Sequence, residues 1–128
     1  MDHSINIYKD VITPELCDEL IFLHKKQKIY TEKEVHSEGA NVECYNLYLA
    51  HYPEHDEKST KARVLSIIIA LTDDYDGGVF NFPEQSYQVK LKRGEAITFP
   101  PNFFYPHEVS SPSNGERYTI SLWVLINP

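Results

Sequence analysis

The strongest constraint on the fold is the apolar run VLSIIIAL at residues 64–71. Its length and its β-branched content predict a central, buried strand. Shorter strand-like segments recur at intervals of roughly ten residues; they cover residues 44–49, 79–82, 87–91, 96–99 and 118–126. Turn residues separate several of them, at 73–78 and 92–95. The pattern predicts a mainly β fold, either a sandwich or a barrel-like roll.

One helix is predicted ahead of the strands. Thr13 suits the N-cap and Pro14 the first helical position. Leucines follow at helical spacing, at Leu16, Leu20 and Leu23. Residues 31–41 and 52–62 are polar and lack a period, which predicts loops.

Size and charge exclude several classes of protein. A chain of 128 residues predicts one domain over residues 1–128. A net charge of −7 argues against binding to nucleic acid or to anionic lipid. We find no apolar run near the roughly 18 residues of a membrane span, and no signal-peptide layout at the N-terminus. Two cysteines, Cys17 and Cys44, do not make a disulfide framework, so we expect a cytoplasmic protein.

Three separated features suggest a metal site when they are taken together. His55 is followed two residues later by Glu57, in a polar loop. His107 lies 52 residues downstream, after a strand-like aromatic segment, and Arg117 opens the last strand. Two imidazoles and one carboxylate can hold Fe(II) and leave positions open, while an arginine can bind a second carboxylate. Each feature alone is weak, since an acidic loop often contains His-x-Glu by chance.

The chain resembles Fe(II)- and 2-oxoglutarate-dependent dioxygenases of the prolyl 4-hydroxylase type. The resemblance covers about residues 42–124, and the matching stretches are residues 63–72, 74–78, 80–83, 92–100 and 107–123. The last of these, from HEVS to GERYTISLW, is the most specific. The resemblance implies a double-stranded β-helix, or jelly roll, with an N-terminal helix.

The resemblance assigns the iron ligands by position. His55 and His107 match the two imidazole ligands. The carboxylate ligand of the family is usually aspartate in His-x-Asp, and here Glu57 holds that position. Asp56, one residue earlier, is the alternative ligand, and a weak site without a bound carboxylate is the third outcome.

Three further residues match positions that bind 2-oxoglutarate. Arg117 matches the cation that holds the distal carboxylate, and Ser121, on the same strand face by period two, matches a hydroxyl that supports it. Tyr45 matches a tyrosine that contacts the co-substrate, with Tyr48 as the second choice. Relatives often place a tyrosine where this chain has Ala70, so Arg117 and Ser121 would carry more of the binding.

The remaining candidates are less specific. Arg63 matches a position near the substrate, although a strand-end salt bridge explains it equally well. Trp123 matches a tryptophan near the site, and core packing is the alternative. Four other histidines are expected at the surface: His3, His24, His36 and His51.

The implied activity is oxidative decarboxylation of 2-oxoglutarate coupled to hydroxylation of a C–H bond. The implied cofactors are Fe(II), 2-oxoglutarate as co-substrate, and ascorbate, and the implied substrate is a prolyl residue of a peptide or protein. Two alternatives stay open: a non-catalytic β-roll that binds a metal or a carboxylate, as a pseudo-enzyme or sensor, and a cupin-like isomerase or sugar-modifying protein.

Overall fold

The computed structural model describes residues 3–27, 31–35, 43–47 and 62–126. In these ranges the chain forms one α-helix, one short 3-10 helix (Pro83–Gln85) and nine strands. The elements are β1 (Asn6–Tyr8), α1 (Pro14–Gln27), β2 (Thr31–Val35), β3 (Glu43–Leu47), β4 (Ala62–Ala70), β5 (Phe80–Phe82), β6 (Tyr87–Val89), β7 (Ala96–Phe99), β8 (Glu108–Val109) and β9 (Arg117–Ile126). Among the residues described, no helix is long and apolar enough to span a membrane.

The strands form two sheets. The larger has the order β1-β7-β4-β9-β3-β2 and the smaller has the order β6-β5-β8. Neighbouring strands run antiparallel, except for the parallel pair of β3 and β9. The apolar run at 64–71 contributes most of β4, which lies between β7 and β9 inside the larger sheet. The prediction of a mainly β jelly roll with an N-terminal helix is therefore confirmed.

The core between the two sheets follows from strand alternation. Ala70 of β4 and Ile97 and Phe99 of β7 face the smaller sheet, where Phe80 and Phe82 of β5 pack against them. Each of these side chains is almost fully removed from water. Burial of one isoleucine or phenylalanine side chain contributes about 1.5–3 kcal/mol, so this layer is a major source of stability.

The helix covers the opposite face of the larger sheet. Cys17 packs there with Ile69, Leu71 and Tyr118. Thr13 Oγ1 accepts a hydrogen bond from Leu16 N at 3.1 Å, which confirms the predicted N-cap.

Arg93, in the turn before β7, ties this helix to the sheet. Its guanidinium donates to the carbonyl of Pro14 at 2.9 Å and to the carboxylate of Asp18 at 3.2 Å. The first turn of the helix is therefore held against the sheet by a charged contact that supplements the apolar packing.

Several local predictions were wrong. Thr31–Val35 is a strand and not a loop; it lies at the edge of the larger sheet, where one side needs no partner and a charged sequence is common. The aromatic segment before His107 is a turn and not a strand. His3 and His24 are half-buried, since their rings contact Tyr87 and Tyr118 respectively.

Candidate active site

The inner face of β9 carries a row of polar and aromatic side chains. Successive residues of a strand point to opposite faces, so Arg117, Thr119, Ser121 and Trp123 share one face. Tyr118, on the other face, packs towards the helix. In the register with β4, Thr119 is opposite Ala70, whose side chain belongs to the core between the sheets. The row therefore faces the interior of the roll.

A cavity of about 300 Å³ opens beside this row. Strands β4, β7 and β9 and the loop after β7 supply its walls. The described residues that line it are Arg63, Ser66, Ile67, Ile68, Phe99, Pro101, His107, Ser121 and Trp123. Four of the predicted site residues are therefore brought together around one cavity, namely Arg63, His107, Ser121 and Trp123.

Arg117 does not line this cavity but lies deeper on the same strand face. Its side chain is only 4% exposed, and its Cζ lies 5.6 Å from the ring centroid of Phe80. Within the described part of the chain, no carboxylate forms an ion pair with it. A buried cation without a counter-charge is costly, and a bound carboxylate would relieve this cost.

His107 is oriented by contacts on two sides. Its ring packs against Phe99, with centroids 4.7 Å apart, and against Phe82, at 5.3 Å. Its Nδ1 lies 3.0 Å from the carbonyl oxygen of Tyr105. A carbonyl only accepts hydrogen bonds, so Nδ1 is the protonated nitrogen and donates. The lone pair of the neutral ring is then on Nε2, which is the arrangement found in histidines that bind metals.

Strand β5 sets the spacing between Arg117 and His107. Phe80 and Phe82 lie two residues apart on the same face, with ring centroids 6.5 Å apart. Arg117 packs over the first ring and His107 over the second. One short strand of the smaller sheet therefore supports both groups.

Arg63 and Trp123 form one unit at the wall of the cavity. The Cζ of Arg63 lies 4.1 Å from the ring centroid of Trp123, which is a close cation–π contact. The described carboxylates form no salt bridge with Arg63, so the alternative of a strand-end ion pair has no support in these ranges. Trp123 is half-buried and lines the cavity.

Other predicted site residues lie outside the described ranges: His55, Asp56, Glu57 and Tyr48. Tyr45 lies in β3, where the backbone register aligns it with Tyr118. Its contact with the co-substrate stays a prediction. In the described segments no group of three or more histidine, cysteine or acidic residues could hold a metal ion, and His107 is the one predicted ligand that they include.

Sequence reasoning did not assign five residues of the cavity wall to the site: Ser66, Ile67, Ile68, Phe99 and Pro101. Ser66 had a detectable signal, because it is the only hydroxyl inside the apolar run at 64–71. It is opposite both Phe99 and Trp123 in the sheet register. Phe99 and Pro101 had no such signal, since their position depends on how β7 meets the following loop.

The arrangement suits a ligand that carries a carboxylate and also binds a metal. Arg117 offers a buried cation, and the Nε2 of His107 offers a metal-ligand nitrogen. Ser121 shares the inner face of β9 with Arg117 and lines the same cavity as His107. The described residues therefore fit a dicarboxylate such as 2-oxoglutarate and supply one of the ligands that iron would need.

Comparison with known proteins agrees with this chemistry. The family profile of the 2OG-Fe(II) oxygenase superfamily matches residues 40–125. Prolyl 3-hydroxylase 2 of Mus musculus is 32% identical over 71 residues, and prolyl 3-hydroxylase 1 of Gallus gallus is 34% identical over 71 residues. Each match covers 52% of this chain, which spans about a tenth of the length of these relatives.

A solved structure extends the likeness over nearly the whole chain. It is a viral collagen prolyl hydroxylase from Paramecium Bursaria Chlorella virus-1 in complex with 2OG. The TM-score is 0.66 with 14% identity, and the match covers 94% of this chain and 95% of the viral one. At that identity the likeness shows the fold. Because the family profile covers most of the chain, we conclude that this protein belongs to the 2OG-Fe(II) oxygenase superfamily and resembles its prolyl hydroxylases.

Proposed function

We propose that the chain is an Fe(II)- and 2-oxoglutarate-dependent hydroxylase that acts on a prolyl residue of a peptide or protein. The observation that carries the proposal is the buried guanidinium of Arg117, which no described carboxylate neutralises. It shares the inner face of β9 with Ser121, in the wall of the cavity that His107 also lines. The prolyl hydroxylases among the relatives support a prolyl substrate.

Each residue has a proposed role. His107 binds iron through Nε2, and His55 and Glu57 complete the ligand set, with Asp56 as the alternative carboxylate. Arg117 binds the distal carboxylate of 2-oxoglutarate, while Ser121 and Tyr45 support it. Bound iron and 2-oxoglutarate together supply the oxidising chemistry that hydroxylates a C–H bond.

The protein itself positions the metal ligand and the substrate. Phe82 and Phe99 pack against the ring of His107 and fix its orientation, while the residue as a whole stays exposed to solvent. Arg63 and Trp123 stand at the cavity wall, and we propose that they contact the substrate chain.

The proposed activity is tested by turnover with Fe(II), 2-oxoglutarate, ascorbate and a proline-containing peptide. We expect succinate to form and the peptide to gain the mass of one oxygen atom on proline, both measured by mass spectrometry. Omission of ascorbate tests whether that cofactor is needed. The variant His107→Ala should lose both products, while Phe22→Ser, an exposed change on the helix, should keep them.

Two variants test the carboxylate ligand. Glu57→Ala should abolish binding of Fe(II), measured anaerobically by equilibrium dialysis, and Asp56→Ala should not. The reverse result would transfer the role to Asp56, and retained binding in both would indicate a site without a carboxylate ligand.

The competing functions predict different results. A non-catalytic β-roll would form no succinate, with or without peptide. A cupin-like isomerase would bind metal and would be insensitive to Arg117→Ala, whereas the proposed oxygenase should lose affinity for 2-oxoglutarate in this variant.

A further inference from the structure

The loop after β7, residues 100–106, presents two neighbouring phenylalanines to solvent. Phe103 is 83% exposed and Phe104 is 65% exposed. Their ring centroids lie 4.2 Å apart with 33° between the ring planes, so the two rings form one aromatic surface. Phenylalanine is among the residues most often buried, and an exposed cluster of this kind is typical of a binding site.

Hydrogen bonds hold this loop in a defined shape. Tyr105 N donates to the carbonyl of Asn102 at 3.0 Å, and Phe104 N donates to the side-chain oxygen of Asn102 at 3.0 Å. The side-chain amide of Gln85 donates to the carbonyl of Phe104 at 2.8 Å. Ser4 N, from the N-terminal segment, donates to the hydroxyl of Tyr105 at 3.1 Å. The aromatic surface is therefore preorganised, and binding of a ligand would lose little conformational entropy in this loop.

The loop is continuous with the candidate active site. Phe99 precedes it, Pro101 lies within it, and His107 follows it, and all three line the cavity. Residues 100–106, PPNFFYP, contain no charged side chain in a chain whose net charge is −7. A neutral, apolar chain that leaves the cavity on this side would meet the two rings without having to desolvate a charge.

We propose that Phe103 and Phe104 bind the residues that flank the reacting proline, and that these residues include further prolines in an extended segment. The inference rests on the proposed function, because it takes the cavity as the place where the reacting residue binds. Its occupant is a proline-rich polypeptide in the polyproline II conformation.

Proline suits this surface for two physical reasons. A polyproline II segment is already extended, so its binding loses little conformational entropy. Its rings present apolar faces that pack on aromatic side chains, as in other aromatic-lined grooves that bind proline-rich segments. Two adjacent rings on a rigid turn offer such a surface, and the cavity fixes the register of the bound chain.

The test measures binding directly, with fluorescence anisotropy of labelled decapeptides. One peptide has a central proline with prolines on both sides, and the matched peptide keeps the central proline with alanines around it. We expect the wild type to bind the proline-rich peptide more tightly. We expect the double variant Phe103→Ser/Phe104→Ser to bind the proline-rich peptide about tenfold more weakly, or worse, than the wild type does. The double variant should then bind the two peptides with similar affinity.

The control is Phe22→Ser, which removes an exposed ring of similar accessibility (56%) from the helix and should leave both affinities unchanged. Thermal unfolding of each variant checks that the fold is intact. Equal affinity of the wild type and the double variant for the proline-rich peptide would overturn the inference. The inference would also fail if the wild type were a dimer in solution, the double variant were a monomer, and peptide binding were unchanged. Succinate production, assayed separately, reports on the proposed function, so failure of one is distinguishable from failure of the other.

Discussion

Arg117 is a buried cation that the described residues leave without a counter-charge, and this makes its role measurable without turnover. We expect 2-oxoglutarate to raise the melting temperature of the wild type, because a ligand at a hundred times its Kd stabilises the native state by about 2.7 kcal/mol. In Arg117→Met this shift should vanish. The measurement is differential scanning calorimetry with and without 2-oxoglutarate.

The same variant has an informative result in the absence of ligand. Methionine removes a buried charge and keeps an apolar stem of similar length, so Arg117→Met should melt no lower than the wild type. A strongly lowered melting temperature would instead show that Arg117 supports the fold itself. Arg117→Lys keeps the charge but loses bidentate binding, and an intermediate shift is expected for it.

Cys17 illustrates a nucleophile that the fold makes inert. It is fully buried on the face of the helix that packs against the larger sheet, and this burial raises the pKa of its thiol. The thiolate is the reactive form, so burial suppresses both access and ionisation. We expect Cys17 to resist iodoacetamide at pH 8 in the native protein and to react fully in urea, as read by mass spectrometry of its peptide. Rapid labelling in the folded state would show that the helix opens locally.

At the scale of elements, strand β5 is the support that joins the two halves of the site. Phe80 contacts Arg117 and Phe82 contacts His107. We expect Phe82→Leu to weaken binding of Co(II), a spectroscopic substitute for iron, by about tenfold. Loss of a group that orients a metal ligand typically weakens metal binding by this amount or more. Co(II) binding is measured by its visible absorption.

Phe80→Leu is the matched change for that experiment, because it alters the neighbouring ring on the same face of β5. It should weaken 2-oxoglutarate binding more than metal binding, since its contact is with Arg117. If both variants weakened both ligands equally, β5 would act only through the general stability of the core.

The turn before β7 constrains the helix as well as the strand. Gly94 has φ of +87°, and a Cβ at this position would lie 2.8 Å from the carbonyl oxygen of Ile12. Backbone hydrogen bonds join Gly94 to Val11 and to Ala70. We expect Gly94→Ala to lower the free energy of unfolding in urea by about 1–3 kcal/mol. Ser86→Gly, which places a glycine where φ is already +50°, should cause no comparable loss.

For the whole molecule, local patterns predicted the elements whose own residues determine their structure. The apolar run at 64–71 and the N-cap Thr13 predicted β4 and α1 because burial and capping leave a pattern in the chain itself. Strands β1, β2 and β8 were missed, since short or edge strands depend on their partners more than on their own residues.

The residues of the site also fall into those that the sequence predicted and those that depend on the tertiary structure. His107 and Arg117 were predicted from their spacing, and Ser121 from the family resemblance. Phe99 and Pro101 enter the cavity wall only through tertiary arrangement. The exposure of Phe103 and Phe104 was the hardest feature to predict from the sequence, because a run of aromatic residues normally indicates a core position. In the structure the two residues lie in a hydrogen-bonded turn and are exposed.

The position of the site between two sheets leads to the last prediction. Arg117 and Ser121 belong to the larger sheet, while His107 directly precedes β8 of the smaller one. A metal bound at His107 and a dicarboxylate bound at Arg117 would therefore link the sheets, and each ligand should increase the affinity for the other. We expect Mn(II) and 2-oxoglutarate together to raise the melting temperature by more than the sum of their separate shifts. In Arg117→Met only the Mn(II) shift should remain. Strictly additive shifts in the wild type would mean that the two ligands occupy independent sites, contrary to a shared centre between the sheets.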